Sequence, residues 1–170
     1  IEVRVHPTLV PVSNPLASVN DSFNAVFLTG DSVDDIMLYG RGAGALPTGS
    51  AIVSDVIYAA KHAGDYYYAP FKNMEVAEKS TKFVTDFSSK YFIRMILKNV
   101  VGVLSKLTSV FSKNSINLTY VKQNATNVDG EVELVLITDM SSESSVNKAI
   151  DKIKDMDEVV KVESILRVED

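Results

Sequence analysis

Tyr91-Phe92-Ile93-Arg94-Met95-Ile96-Leu97-Lys98 runs directly into Asn99-Val100-Val101-Gly102-Val103-Leu104. In an extended chain, Tyr91, Ile93, Met95 and Leu97 share one face. After Gly102 the period changes. Val103, Leu104, Leu107, Val110 and Phe111 recur at helical spacing, and Asn114-Ser115 stop the run. A strand and a helix therefore follow one another. Beyond them, residues 116–123 read as a strand with Ile116, Leu118 and Tyr120 inward. Asn127-Val128-Asp129-Gly130 reads as a hairpin turn, and residues 131–138 as the returning strand. Ser141-Ser142-Glu143 opens a helix with Val146, Ala149, Ile150 and Ile153 on one face, and residues 159–168 form a last strand. The order is βαββαβ. One antiparallel four-stranded sheet with two helices on one face satisfies it, which places the chain in the α+β class. The other sheet face would still carry Phe92, Ile96, Val121, Val135 and Ile137, an apolar set that calls for a partner.

Upstream, Gly40-Arg41-Gly42-Ala43-Gly44-Ala45-Leu46-Pro47-Thr48-Gly49-Ser50-Ala51 follows the apolar run Ile36-Met37-Leu38-Tyr39. Strand, glycine turn and helix start succeed one another. Such a turn lets backbone come close to a ligand, and a helix start offers N–H groups to an anion. The predicted helix runs from about Pro47 to His62, with Gly64 ending it. Pro47 suits a first turn, where its missing N–H is not needed. Ile52, Val56 and Ala59 form a stripe that Val53, Ile57 and Ala60 widen, so this helix is expected to pack on two sides. Earlier strands are expected over residues 2–9, 24–29 and 36–39. Residues 65–90, with Tyr66-Tyr67-Tyr68, Pro70 and no sustained period, read as a connecting arm.

Composition limits the functions open to the chain. It has 170 residues, 46% of them hydrophobic, and no apolar run of membrane-spanning length. No signal peptide is visible, and the first residue is Ile1. The absence of cysteine excludes thiolate chemistry, disulfides and cysteine-ligated zinc, and fits a cytoplasmic origin. His6 and His62 are too few for an ordinary histidine metal centre, so no metal is expected. A net charge of −5 argues against nonspecific nucleic-acid or anionic-membrane binding.

The second half resembles an ACT domain, the small amino-acid-sensing module of metabolic enzymes. The first half resembles the end of the substrate domain of homoserine dehydrogenase. The matching residues are Asn14-Pro15-Leu16-Ala17-Ser18-Val19, Phe23-Asn24-Ala25-Val26, Gly30-Asp31, Tyr39-Gly40-Arg41-Gly42-Ala43-Gly44, Pro47-Thr48 and Ser50-Ala51 through Asp55. The chain departs from the pattern at Asn14, where histidine is common, and at Asp21 and Asp34, where glycine is common. The expected organisation is a partial catalytic domain over 1–64, a connecting arm over 65–90 and a ferredoxin-like ACT domain over 91–170. The resemblance implies an enzyme that interconverts aspartate semialdehyde and homoserine with NAD or NADP, on the branch to threonine and methionine. It places the nucleotide-binding domain, the catalytic lysine and the acidic homoserine-binding residues upstream of Ile1. No catalytic residue is therefore expected in this chain, and Lys61, Lys72, Lys79, Lys82 and Lys90 are assigned none.

The resemblance further sets Gly44 and Thr48, with Gly42, against the nicotinamide end of the cofactor. The local reading is plainer: the glycines permit a tight turn, and Thr48 is an ordinary helix-start residue. In the ACT half, ligands of this module lie near the loop after the first strand, here Asn99-Val100-Val101-Gly102. An amino acid, with threonine as the expected effector, would meet Asn99, Gly102 and the N–H groups of Val103 and Leu104, with Gln123 from the next strand. The competing reading is a module that only dimerises. Self-association, as a dimer, is expected through both halves. A free-standing amino-acid sensor is the alternative to an enzyme part.

Overall fold

The computed structural model describes residues 1–64, 82–126 and 128–169. In chain order these form β1 (Thr8–Leu9), a 3₁₀ turn (Pro15–Ser18), β2 (Phe23–Gly30), β3 (Asp34–Arg41), α1 (Ala45–Lys61), β4 (Ser88–Lys98), α2 (Val103–Lys113), β5 (Leu118–Ala125), β6 (Glu131–Thr138), β7 (Ser141–Ser142), α3 (Glu143–Lys154) and β8 (Val159–Val168). The chain divides into two compact units, one of Ile1–Val10 with Lys82–Asp170 and the other of Pro11–Thr81.

The larger unit has the predicted βαββαβ order. Its main sheet runs β1-β8-β4-β6-β5, and β4 lies antiparallel to both β6 and β8. The alternation along β4 sends Tyr91, Ile93, Met95 and Leu97 into the core, where Leu134 and Leu136 of β6 join them. Leu107 and Phe111 from α2, and Val146, Ala149, Ile150 and Ile153 from α3, close that face. Ser142 caps α3 by accepting from the Ser145 amide at 3.2 Å. Buried Thr138 accepts from the Tyr91 amide through Oγ1 at 3.0 Å, so its hydroxyl is not stranded in the core.

β5 departs from the sequence reading. Its register against β6 shifts between Leu118 and Tyr120. Leu118 faces Thr138, but Tyr120 faces Ile137 and Val121 faces Leu136. The extra residue at this bulge reverses the alternation. Tyr120, expected inward, is 44% exposed beside Ile137, and Val121, expected on the open face, lies on the helix side at 49% exposure. Phe92, Ile96, Val135 and Ile137 remain half-buried on the face that no helix covers. Of the hairpin turn, Asn127 lies outside the described residues, and Gly130 takes the left-handed conformation with φ 78°.

The strand expected over 2–9 shrinks to β1, which pairs in parallel with Arg167 and Val168 of β8. Pro7 immediately before it has no N–H to offer a ladder. The expected division differs from the observed units at two places. Residues 1–10 pack with the ACT half through this pairing, and residues 82–90 of the expected arm do too. The rest of that arm, 65–81, lies outside the described residues.

In the smaller unit, β2 and β3 form an antiparallel hairpin from Phe23↔Arg41 to Gly30↔Asp34. Asp21 and Asp34, where the resemblance led one to expect glycine, have φ 57° and 52°. Both hold the left-handed conformation that glycine adopts at no steric cost, and aspartate tolerates it better than most residues. Asn14 stabilises the 3₁₀ turn by accepting from the Leu16 amide at 2.9 Å. α1 begins at Ala45, so Pro47 sits in its first turn. It has no buried residue. The expected two-sided packing is thus not met: Ile52, Val53, Val56 and Ile57 all stand exposed. The core cluster lies wholly in the larger unit.

Candidate functional site

Two sites were expected, one in each unit, and each is built from a strand, a glycine and a helix start. In the smaller unit β3 ends at Arg41, and the Gly42 amide donates to the Ser22 carbonyl at 2.8 Å. Asn24 on β2 lies so close that a Cβ at position 42 would stand 1.8 Å from its Nδ2. The Asn24 side chain thus occupies the space that a side chain at position 42 would take. Gly44 precedes α1 with φ 120°, a conformation open to glycine, and no side chain caps the helix. Its carbonyl accepts from the Thr48 amide at 3.1 Å, while the Thr48 side chain is exposed one turn into the helix.

Around the turn stand residues to which the sequence analysis gave no role. Phe23 and Tyr39 stack with centroids 4.8 Å apart. The Arg41 guanidinium lies 4.7 Å above the Phe23 ring and donates to Ser22 Oγ at 3.2 Å. One shallow groove is lined by Asn24, Val26, Leu38, Tyr39 and Gly42, and a second by Arg41, Gly44, Leu46 and Pro47. The pairing of β2 with β3 brings Phe23 beside Arg41, and this long-range register is absent from the local sequence pattern. Gly42→Ala is expected to displace the Asn24 side chain rather than break the hairpin, because an exposed side chain can rotate away. A double-mutant cycle with Asn24→Ala, read by urea unfolding, should give a coupling of about 1 kcal/mol. Additive effects would mean that the two residues do not touch in solution.

In the larger unit, the Asn99 amide donates to Gly130 O at 2.7 Å, tying the loop to the β5–β6 turn. Gly102 is left-handed at φ 88° and precedes α2 without any side-chain cap. Val103 is split in role: its side chain is buried in the core, and its amide donates to Val100 O at 3.4 Å. Leu104 is more exposed, on the next position of the first turn. These four residues share one junction. Gln123 lies on edge strand β5 opposite Leu134, on the helix side of the sheet. Among the described residues no hydrogen bond links it to the junction. On the opposite face Arg94 pairs with Glu133 at 2.5 Å, and Asn124 donates to the same carboxylate at 2.9 Å. Those two donors, Asn124 first, hold Glu133 below the ordinary carboxylate range.

Among the described residues no group of three or more His, Cys, Asp or Glu is placed to hold a metal ion. Among the same residues no helix is long and apolar enough to cross a membrane.

Comparison with known proteins agrees with both halves. The homoserine dehydrogenase family model matches residues 1–57, and the ACT domain model matches residues 91–158. Homoserine dehydrogenase of Corynebacterium glutamicum is 36% identical over 99% of this chain, and that of Bacillus subtilis 35%. The chain spans 37% and 39% of those two relatives. The crystal structure of a homoserine dehydrogenase from Thiobacillus denitrificans superposes with a TM-score of 0.78 at 31% identity, over 99% of this chain and 39% of that one. With one family model at its start, the second at its end and relatives aligned across nearly all of it, the chain joins a homoserine dehydrogenase segment to an ACT domain.

Proposed function

We propose that this chain is part of an NAD(P)-dependent homoserine dehydrogenase, which interconverts aspartate semialdehyde and homoserine. The observation that carries the reading is the order, in one chain, of a homoserine dehydrogenase segment and an ACT domain, in line with relatives over 99% of its length. The nicotinamide cofactor supplies or accepts the hydride. In this chain Gly44 fits the approach of a flat ring, since it puts no side chain in the way, while the space beside Gly42 is taken by Asn24 and a ring there would have to displace it. The uncapped start of α1 supports the same use, because its amides are not taken by a side chain. Thr48 offers a hydroxyl one turn further on. The groups that hold the rest of the cofactor, and those that move the proton, belong to parts of the parent outside these residues. The test is expression of the complete reading frame that contains this sequence. It should form NAD(P)H with homoserine, and inactivity of a folded product would overturn the assignment.

The ACT unit is the regulatory half, with threonine, an end product of the pathway, as effector. Asn99 would face the ammonium or hydroxyl, and the start of α2 at Leu104 the carboxylate. Calorimetry with threonine should show binding that Asn99→Ala weakens by about 1–3 kcal/mol, one or two lost hydrogen bonds. A bulky residue at Gly102 should abolish it, through both the left-handed backbone and the blocked approach. Binding that survives a change at Gly102 would place the site elsewhere. A stand-alone ACT sensor is the second reading, and one observation favours it: among the described residues the apolar core lies in the ACT-containing unit.

Self-association follows from the exposed apolar faces. Val53, Val56 and Ile57 on α1 stand uncovered, and so does one face of the ACT sheet. Pairing of identical copies is the commonest solution for such faces. Light scattering over a concentration series should give a mass above the 18.6 kDa of one chain. A monomer at high micromolar concentration would count against it.

A further inference from the structure

Both covalent crossings between the two units begin at one cluster. The chain leaves the larger unit after Val10 and re-enters it at Lys82. Just before the exit, the Arg4 guanidinium lies 4.5 Å from the centre of the Phe87 ring. Phe87 itself stands just after re-entry. Arg167 of β8 lies 5.4 Å from the same ring, and its Nη2 donates to Glu143 at the start of α3 at 2.6 Å. Arg167 is also the register partner of both Thr8 on β1 and Tyr91 on β4. Exit, re-entry, edge strand and helix start thus meet at Phe87 and Arg167.

Opposing forces act at this point. The contacts of Arg4 and Arg167 with Phe87, that of Arg167 with Tyr91, and the Arg167–Glu143 and Arg4–Glu169 pairs hold it closed. Hydrogen bonds from Ile1 N to Lys82 O, from Val84 N to Ile1 O and from Glu169 N to Leu9 O do the same. Against them, two guanidinium cations crowd a single ring. Among the described residues, the buried side-chain atoms without a hydrogen-bond partner in the chain are Arg4 Nη1, His6 Nε2, Tyr91 Oη, Glu143 Oε2 and Arg167 Nε. All five belong to this cluster or to the strand laid on it, and each gains water when it opens. The strand is fastened near its two ends only: its ladder is two residues long, and between the ends Val3 and Val5 are 74% and 100% exposed. The neighbouring core, by contrast, is made of buried apolar side chains. Opening the cluster is therefore separable from unfolding the core.

We propose that residues 1–10 form a releasable strap on the ACT unit, with Phe87 as its clasp, so that opening the clasp frees both crossings while the ACT core stays folded. Hydrogen exchange on the full chain, read peptide by peptide, tests this. In the parent chain the amides of residues 1–10 should exchange together, about a hundredfold faster than those of β4 and β6. Phe87→Ala should speed them by a further tenfold or so, with β4 and β6 unchanged. Glu143→Gln, which leaves Arg167 without its counter-charge, should act in the same direction and guards against misfolding of the first variant. Because the chain has no cysteine, Leu9→Cys with Val168→Cys gives a clean cross-link between register partners, and oxidation should slow the same amides until reductant is added. Exchange of residues 1–10 at the core rate in parent and variants alike would make the segment an integral strand and overturn the proposal. So would unprotected exchange already in the parent, which would mean that it is never fastened.

Discussion

The purified 170-residue chain is expected to form no NAD(P)H from homoserine above the buffer rate. Hydride transfer needs cofactor and substrate held together in a dry site. Effective concentration alone is worth about 7–11 kcal/mol of barrier in well-oriented systems. Among the described residues of the smaller unit there is no such site, since α1 and β3 have no buried residue and the grooves there are shallow. Its acid–base inventory is equally bare. Lys61 sits in the last turn of α1, where a cation is favoured by the helix dipole alone. Asp31 lies in the turn between β2 and β3, and Asp55 stands exposed on α1. A coupled spectrophotometric assay, run in both directions with NADP and with NAD, reads the result. Turnover that follows the protein through successive columns would show that these residues hold a complete site.

The ACT half was the more legible because its signals are local. β6 and β8 carry their predicted bounds, and α3 buries the four residues named for it. Each rests on a short period and a nearby stop signal: an alternating strand after a glycine turn, or a serine cap before an apolar stripe. What escaped the sequence depends on distant partners. The bulge in β5 is invisible locally, because Tyr120 and Val121 are both acceptable on either face, and only the pairing with Ile137 and Leu136 decides between them. The pairing of β1 with β8 joins residues at opposite ends of the chain. At the glycine turn the sequence suggested a bare backbone for a ligand. The packing of Asn24 against Gly42 adds a structural demand on the same residue, and it arises from the β2–β3 register. The departures at Asp21 and Asp34 were more informative than they looked, because both residues hold the left-handed conformation that glycine favours.

The contrast between the two units sets the largest expected effect on stability. Phe111 is 1% exposed on α2 and packs into the core beneath the sheet. Phe111→Ala removes most of an aromatic ring and leaves a cavity, which should cost about 3–5 kcal/mol. Domains of this size are stable by about 5–15 kcal/mol, so the variant would lose a large share of its margin. Val56 on α1 is 61% exposed. Val56→Ala removes little buried surface and gains helix propensity, so a change within about 0.5 kcal/mol is expected. Urea titration followed by far-ultraviolet circular dichroism measures both, at a protein concentration low enough to keep the chain dissociated. The comparison then becomes a probe of assembly. Raising the protein concentration should leave the Phe111 effect in place while the Val56 effect grows, because a face that is bare in one copy becomes buried between two. A Val56 effect that is large at every concentration would show that α1 is covered within a single chain. One that stays small in a proven oligomer would move the contact to the open face of the ACT sheet, where Phe92, Ile96, Val135 and Ile137 remain uncovered by any helix.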